Sequence, residues 1–177
     1  MLRVRVIPTL LLKNSGLVKG AQFKNHKYVG DPINAVKIFN EKEVDEIVFL
    51  DISATLSGKG PNFELLKDIA SEAFMPFGYG GGITNLEQIQ KLFYLGVEKC
   101  IINSAAYYNP QLIKAASSIA GAQSIVVSID VKKTFLGKYE VYVKNGSVNT
   151  KMCPVEFAIR MQDLGAGELI VFNIGNE

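Results

Sequence analysis

The stretch EIVFLDIS at residues 46–53 has a counterpart in ELIVFNIG at residues 168–175, which begins 122 positions further along the chain. A second pair, LLLK at residues 10–13 and IDVK at residues 129–132, is separated by 119 positions. This nearly constant spacing indicates that the fifth and sixth predicted strands repeat the first and second. A barrel made of two half-barrels has such a repeat, whereas a doubly wound sheet gives no reason for one. Chance similarity between apolar strands is the alternative explanation.

Six nearly continuous apolar runs, rich in Ile, Val and Phe, predict buried parallel strands. They cover residues 4–11, 46–51, 75–79, 99–103, 124–130 and 168–173. Helical patterns lie between them, and start signals are found at Asp31-Pro32, at Asn109-Pro110 and in the capping box Thr84-x-x-Glu87. Residues 138–150 predict a hairpin with a type I′ turn at Asn145-Gly146, inserted after the fifth strand.

The alternation of strands and helices predicts an α/β protein, and the repeat favours the TIM (β/α)₈-barrel family over a doubly wound sheet. Eight βα units need about 200–250 residues, whereas this sequence of 177 residues ends inside the sixth unit. We therefore expect one incomplete barrel domain over residues 1–177, with about five and a half units. Because open sheet edges are costly, we expect either a C-terminally truncated piece of a longer product or a chain that closes against a second chain.

Composition excludes several classes of function. The net charge is +2 with scattered cations, which argues against binding to nucleic acid or an anionic membrane. No apolar run approaches the ~20 residues of a membrane span, and the N-terminus lacks the features of a signal peptide. The two cysteines form no disulfide framework, and the single histidine excludes a multi-histidine metal site. We expect a cytoplasmic protein.

A glycine run follows the third predicted strand, where a barrel places its binding site. Gly81 and Gly82 let backbone amides approach an anion, and Asn103 and Ser104 follow the next strand and add an amide and a hydroxyl group. The pattern favours a phosphate site over a tight turn. Lys19, in the polar first loop at residues 16–30, is a candidate to reach the same ligand, with a solvated lysine as the alternative.

Two aspartates end predicted strands on the same side. Asp130 ends the fifth strand, where a carboxylate can act as a general acid or base, and the alternative is a capping role. Asp51 ends the second strand, and here support of the following loop is the favoured interpretation over ligand binding.

Four charged residues lie at or near the starts of four different strands: Arg5, Glu46, Lys99 and Glu168. We call these four residues the charge ring, since parallel strands bring their starts to one end of a barrel. Two cations and two anions there form either a stabilising ion-pair cluster or a gate over the central passage of the barrel. The residues alone favour the ion-pair cluster.

These segments resemble the cyclase (HisF-type) subunit of imidazole glycerol phosphate synthase over the whole chain. The matching motifs are Arg5-Val-Ile-Pro8, Val18-Lys19-Gly20, Gly30-Asp31-Pro32, Gly80-Gly81-Gly82-Ile83, Asn103-Ser104-Ala105-Ala106, Ser128-Ile129-Asp130, Gly165-Ala166-Gly167-Glu168, and residues 45–46 with 49–52. The resemblance implies a barrel that receives ammonia from a glutaminase subunit docked at its base, with no cofactor and no metal. The resemblance also implies that the charge ring is an ammonia gate and that Glu98 contacts the glutaminase. It further implies that the glycine run, with Asn103 and Ser104, corresponds to the family's first phosphate site.

One departure from the family bears on the reaction. The family uses two catalytic aspartates; Asp130 keeps the second, whereas Leu11 stands at the first and cannot transfer a proton. Residues 8–14 resemble a divergent branch found with surface-polysaccharide genes, which implies delivery of ammonia to a sugar amidotransferase for sugar amidination. The alternatives are an authentic cyclase of histidine biosynthesis, acting on a phosphorylated small molecule with Asp130 alone, and a catalytically inactive truncated scaffold.

Overall fold

The computed structural model describes residues 4–175, in which ten strands and seven helices alternate as an α/β fold. The strands are β1 (Thr9–Lys13), β2 (Gly16–Ala21), β3 (Lys24–Gly30), β4 (Ile47–Asp51), β5 (Phe77–Gly80), β6 (Lys99–Ile102), β7 (Ile125–Lys133), β8 (Tyr139–Val143), β9 (Val148–Asn149) and β10 (Glu168–Asn173). The helices are α1 (Pro32–Glu41), α2 (Ala54–Ser57), α3 (Phe63–Glu72), α4 (Leu86–Tyr94), α5 (Ser104–Tyr108), α6 (Gln111–Ala120) and α7 (Pro154–Asp163).

Six strands of the sheet run parallel and follow one another in chain order, β1-β4-β5-β6-β7-β10. A doubly wound sheet reverses its strand order at a switch point, and this sheet has no such reversal among the described residues. The architecture is therefore α/β with a sheet rich in parallel strands, as the sequence predicts, and it is consistent with the TIM-barrel family. Antiparallel hairpins extend the sheet at β2–β3 and β8–β9.

The sheet is curved, as a contact between its two ends shows. Arg5 precedes β1, and its Nη2 lies 3.0 Å from Oε1 of Glu168, which begins β10. In a flat sheet the first and sixth parallel strands would be about 24 Å apart, since neighbouring strands lie ~4.8 Å apart. Two side chains cannot bridge that distance, so the sheet bends until the starts of its first and last parallel strands converge.

Alternation along the strands divides the buried side chains into two cores. The larger core fills the space between the sheet and the helices, and it includes Phe49 of β4 and Phe157 of α7. The smaller core lies on the concave side and consists of Val48, Ile101 and Val126, with Ile7, Leu50 and Ile170 packed against it. The concave side of the sheet is therefore lined by aliphatic side chains.

The N-terminal region differs from the sequence prediction in two respects. The first strand was expected at residues 4–11, but β1 spans Thr9–Lys13 and residues 4–8 are not in a strand. Pro8 immediately precedes β1, and proline has no backbone N–H to donate to a neighbouring strand. The loop expected at residues 16–30 is the hairpin β2–β3, whose strands pair Val18 with Tyr28. The polar outer residues of this hairpin, which mask its alternation, led to the interpretation as a loop.

Helix caps were predicted with mixed success. Asp31 caps α1 as expected, since its Oδ1 accepts a hydrogen bond from the backbone N–H of Asn34. The cap of α4 is Asn85 rather than Thr84, and its Oδ1 accepts from the backbone N–H of Gln88 at 2.9 Å. Helix α6 begins at Gln111 with Pro110 at the capping position and no side-chain cap. None of the helices within residues 4–175 has the length and apolar character needed to cross a membrane.

Candidate functional site

The charge ring is closed by ion pairs at the amino-terminal ends of the parallel strands, which we call the lower end. Nζ of Lys99 lies 2.9 Å from Oε2 of Glu46 and 2.8 Å from Oε2 of Glu168. Arg5 completes the ring, with its guanidinium nitrogens 3.2 Å from Glu46 and 3.0 Å from Glu168. Each cation therefore bridges both anions, and the structure brings together all four residues that the sequence singled out.

Burial differs around the ring. The side chain of Glu46 is 4% exposed and that of Lys99 is 13% exposed, whereas that of Arg5 is 48% exposed. Burial raises the pKa of Glu168, but hydrogen bonds from Lys99 and Arg5 outweigh this effect and hold its pKa below the usual value. The hydrogen bond to Glu168 and its charge raise the pKa of Arg5. Arg5 and Glu168 thus stabilise each other in their charged forms.

The lowered pKa of Glu168 predicts a loss of stability in acid. Because the folded chain holds Glu168 ionised below its ordinary pKa of 4.5, its contribution is full above that pH and is lost as the pH falls through the folded value. We expect Glu168→Gln to flatten the dependence of the unfolding free energy on pH below about pH 4.5. Urea denaturation at several pH values measures this slope, and equal slopes for variant and wild type would contradict the ion-pair assignment.

Above the ring lies an open cavity of about 410 Å³ on the concave side of the sheet. Its walls combine the four charged residues with aliphatic side chains, including Val48, Ile101 and Val126. A layer of apolar groups thus lies between the charge ring and the carboxyl ends of the strands, which we call the upper end.

A pocket at the upper end contains Asp130, and we call it the rim pocket. Asp130 of β7 is 6% exposed, and it lines this pocket together with Leu11 of β1 and Leu50 of β4. The remaining lining residues are Phe23, His26, Asp51, Ile52, Thr55, Gly80, Gly81, Ile101, Asn103, Ser128, Asn145 and Phe172. Leu11 therefore faces the same space as Asp130, and it presents an aliphatic surface there.

Asp51 also lines the rim pocket, but its Oδ1 supports the local backbone. That oxygen accepts hydrogen bonds from the backbone N–H of Ser53 at 2.8 Å, from the Ser53 hydroxyl at 2.6 Å and from the backbone N–H of Ala54 at 3.1 Å. This is the loop-supporting role that the sequence favoured. Lys19, in contrast, is exposed on β2 and is not among the residues that line the described pockets.

A second upper pocket, the glycine pocket, adjoins the rim pocket and contains Gly81, Gly82, Asn103 and Ser104. The structure thus brings these four predicted residues together. The Ser104 hydroxyl donates a hydrogen bond to Oδ1 of Asn103 at 3.1 Å, and Nδ2 of Asn103 donates to the carbonyl of Ser128 at 3.0 Å. The Ser104 hydroxyl and the Asn103 amide thus already donate within the protein, and the lining offers further donors in Thr84, Tyr108 and Lys144.

Close packing accounts for the glycine run without any ligand. Gly81 has φ +126°, and a Cβ there would lie against the carbonyl oxygen of Asp51. Gly82 has φ +66°, and its Cβ would lie 2.8 Å from Cβ of Ala54. The number of glycines, which the sequence interpretation took as a sign of phosphate, is therefore a packing requirement. The case for an anion depends on the donors of the pocket instead.

Two hairpins bring residues to the upper end that no sequence motif singled out. Phe23 and His26 of the β2–β3 hairpin line the rim pocket. Asn145 lines the same pocket, and Lys144 lines the glycine pocket. The predicted type I′ turn is confirmed, since Asn145 and Gly146 both have positive φ. That turn was the available signal, because a hairpin inserted after a barrel strand lies at the end that carries the site.

Glu98 lies at the lower end, next to Lys99, and is exposed. Its side chain is accessible to a protein that docks beneath the charge ring. The two ends of the curved sheet thus carry different chemistry: ionised groups below, and carboxylate, amide and hydroxyl groups above.

Comparisons with known proteins agree on one family. A family model described as "Histidine biosynthesis protein" matches residues 5–177. A relative from Pseudomonas aeruginosa is 50% identical over 177 residues, and its name assigns it provisionally as imidazole glycerol phosphate synthase subunit hisF2. The imidazole glycerol phosphate synthase subunits HisF of Petrotoga mobilis and Hydrogenobaculum sp. are 43% and 41% identical. These alignments cover 100% of this chain and 70%, 71% and 70% of the respective relatives.

Proposed function

Because this chain belongs to the histidine biosynthesis protein family, we propose that it is the ammonia-using synthase subunit of a glutamine amidotransferase complex. A glutaminase subunit docks at the lower end and releases ammonia beneath the charge ring. The observation that carries the proposal is the ring itself, in which Lys99 contacts both Glu46 and Glu168 at the base of a cavity whose other walls are mostly aliphatic. We also propose that the curved sheet is part of a (β/α)₈ barrel.

The route for ammonia follows from the order of the layers. If Lys99 broke its ion pairs with Glu46 and Glu168, the ring would open and a small neutral molecule could enter the cavity above it. The side chains of Val48, Ile101 and Val126 beyond the ring are apolar. An apolar layer opposes the passage of ammonium, because a charged group loses its hydration there. The arrangement thus favours transfer of ammonia in its neutral, nucleophilic form toward the rim pocket.

We propose that the substrate that accepts this ammonia binds at the upper end. The glycine pocket, with Gly81, Gly82, Asn103 and Ser104 in its lining, is the place we assign to the phosphate group of a small-molecule substrate. Asp130 is the group we assign as general acid or base, since it is a buried carboxylate that faces the adjoining rim pocket.

Leu11 decides which reaction we propose. Leu11 puts an aliphatic side chain at the β1 position, where the family's cyclase has its other catalytic aspartate. Asp51, the other carboxylate of the rim pocket, supports the local backbone through its Oδ1. We therefore favour delivery of ammonia for amidination of a surface-polysaccharide sugar, with a sugar amidotransferase as the partner at the upper end. Retained cyclase activity in histidine biosynthesis is the second candidate, and the names of the Petrotoga and Hydrogenobaculum relatives favour it.

Docking at the lower end is tested by charge reversal. We expect Glu98→Lys to weaken the complex with the glutaminase subunit roughly tenfold. The variant puts a positive charge where the exposed carboxylate of Glu98 would contact the glutaminase, so the attraction at that contact is replaced by repulsion. Titration calorimetry measures the affinity. Asp68→Lys, at an exposed position on α3, is the matched control and should bind as wild type does. Equal affinities for Glu98→Lys and Asp68→Lys would contradict docking through this surface.

A further inference from the structure

We propose that Lys144, at the tip of the β8–β9 hairpin, is the cation that binds the phosphate group of the substrate in the glycine pocket. This inference rests on the proposed function only in taking a phosphorylated small molecule as the ligand. It assigns the charge recognition of that pocket to a residue that comes from an inserted hairpin and not from a βα turn.

The hairpin tip is fixed against the upper end by three contacts. The backbone N–H of Lys144 donates to the Ser104 hydroxyl oxygen at 3.0 Å. Nδ2 of the neighbouring Asn145 donates to the carbonyl oxygen of Ile52 at 2.6 Å. Gly146 packs so closely on Ile174 that a Cβ there would lie 2.9 Å from its Cδ1. Lys144 is therefore held beside Ser104 by contacts to loops from three different strands.

Charge distinguishes Lys144 from the other residues of the pocket. The described lining is otherwise built from glycine, aliphatic, hydroxyl, amide and tyrosine residues, and among it Lys144 is the one charged residue. Within residues 4–175, no carboxylate oxygen lies within the 4 Å of an ion pair from its Nζ. That Nζ instead lies 5.4 Å from the centroid of the Tyr108 ring, and Tyr108 lines the same pocket. The ammonium group therefore lies at the pocket and is available to an anion.

The remaining donors of the pocket explain why a lysine matters. The Ser104 hydroxyl already donates to Asn103 and accepts from Lys144, so it is oriented without a ligand. Hydroxyl and amide donors bind neutral and anionic oxygens alike, whereas an ammonium group adds a charge that favours an anion. Lys144 thus makes the pocket selective for a phosphate ester over the corresponding uncharged alcohol.

The test is a titration of the 177-residue protein with inorganic phosphate, followed by amide chemical shifts of Gly82 and Ser104. We expect Lys144→Gln to weaken binding roughly tenfold and to reduce its dependence on salt, because one charge-assisted contact is lost. Lys144→Arg keeps the charge and should stay close to wild type. Lys138→Gln removes an exposed lysine just before β8, at the end of that strand away from the hairpin tip, and should bind phosphate as wild type does.

Three outcomes would overturn the inference, and they differ in scope. Equal phosphate affinity for wild type and Lys144→Gln removes the role of Lys144 and leaves the phosphate pocket intact. Equal weakening by Lys144→Gln and Lys138→Gln shows a general effect of charge and also removes that role. Absence of binding to wild type at millimolar phosphate overturns the pocket as well. Neither of the first two outcomes bears on docking of the glutaminase, because the affinity of Glu98→Lys for the glutaminase tests docking separately.

Discussion

Replacing Leu11 by Asp is expected to raise the rate of cyclisation of the histidine precursor by about 10²–10⁴-fold, which is the usual contribution of one general acid or base. The reason is geometric, since Leu11 of β1 and Asp130 of β7 line the same rim pocket. The variant restores a second carboxylate opposite the first. Product formation with an ammonium salt as the nitrogen source measures the effect without the glutaminase.

Leu11→Asn is the matched control for this experiment. It has nearly the same shape and polarity as Leu11→Asp but no proton to transfer, so we expect it to stay at the wild-type rate. If wild type already turns over at the rate of a normal cyclase, Leu11 does not limit the reaction. The second candidate function, an authentic cyclase, would then replace amidination.

Replacing Lys99 by Met is expected to lower the free energy of unfolding by about 3–5 kcal/mol, the usual cost of removing one partner of a buried ion pair. Glu46 is 4% exposed, and the variant leaves it with Arg5 as its partner in the ring. Urea denaturation measures the change. Lys67→Met on α3, where the lysine is exposed, is the control and should change stability by less than about 1 kcal/mol.

A second variant separates charge from packing in this result. Adding Glu46→Gln to Lys99→Met removes the carboxylate that was left behind, and a buried pair replaced on both sides is often neutral. We therefore expect the double variant to be more stable than Lys99→Met alone. A double variant that is less stable would contradict the assignment of the loss to the buried carboxylate of Glu46.

The parallel strands and the charge ring were predictable from the sequence for physical reasons. A strand buried on both faces needs a continuous apolar run, and such a run placed β4 within one residue of its observed bounds. The apolar run at residues 168–173 also gave the bounds of β10, although Leu169 and Val171 on that strand are exposed. Parallel strands bring their starts to one end, so charges at those starts converge. The contacts of Lys99 with Glu46 and Glu168 follow from that arrangement.

Loop positions were predicted less well, because long-range contacts place them. Nothing in the sequence near Lys144 indicates that it meets Ser104, which lies 40 residues earlier. Likewise, His26 reaches the rim pocket because β2 and β3 pair, and the polar residues of that hairpin hid the pairing. Gly81 and Gly82 were recognised as important, but the reason is packing against Asp51 and Ala54, which only the folded chain reveals.

The amount of product formed per glutamine hydrolysed, with the glutaminase partner present, tests most directly whether the charge ring admits ammonia. We would compare wild type, Lys99→Met and the control Lys67→Met, each with glutamine and separately with an ammonium salt. We expect a changed ratio for Lys99→Met with glutamine, while its rate with the ammonium salt stays at that of wild type. An unchanged ratio together with lowered stability would show that the ring does not gate ammonia and is a structural ion-pair cluster.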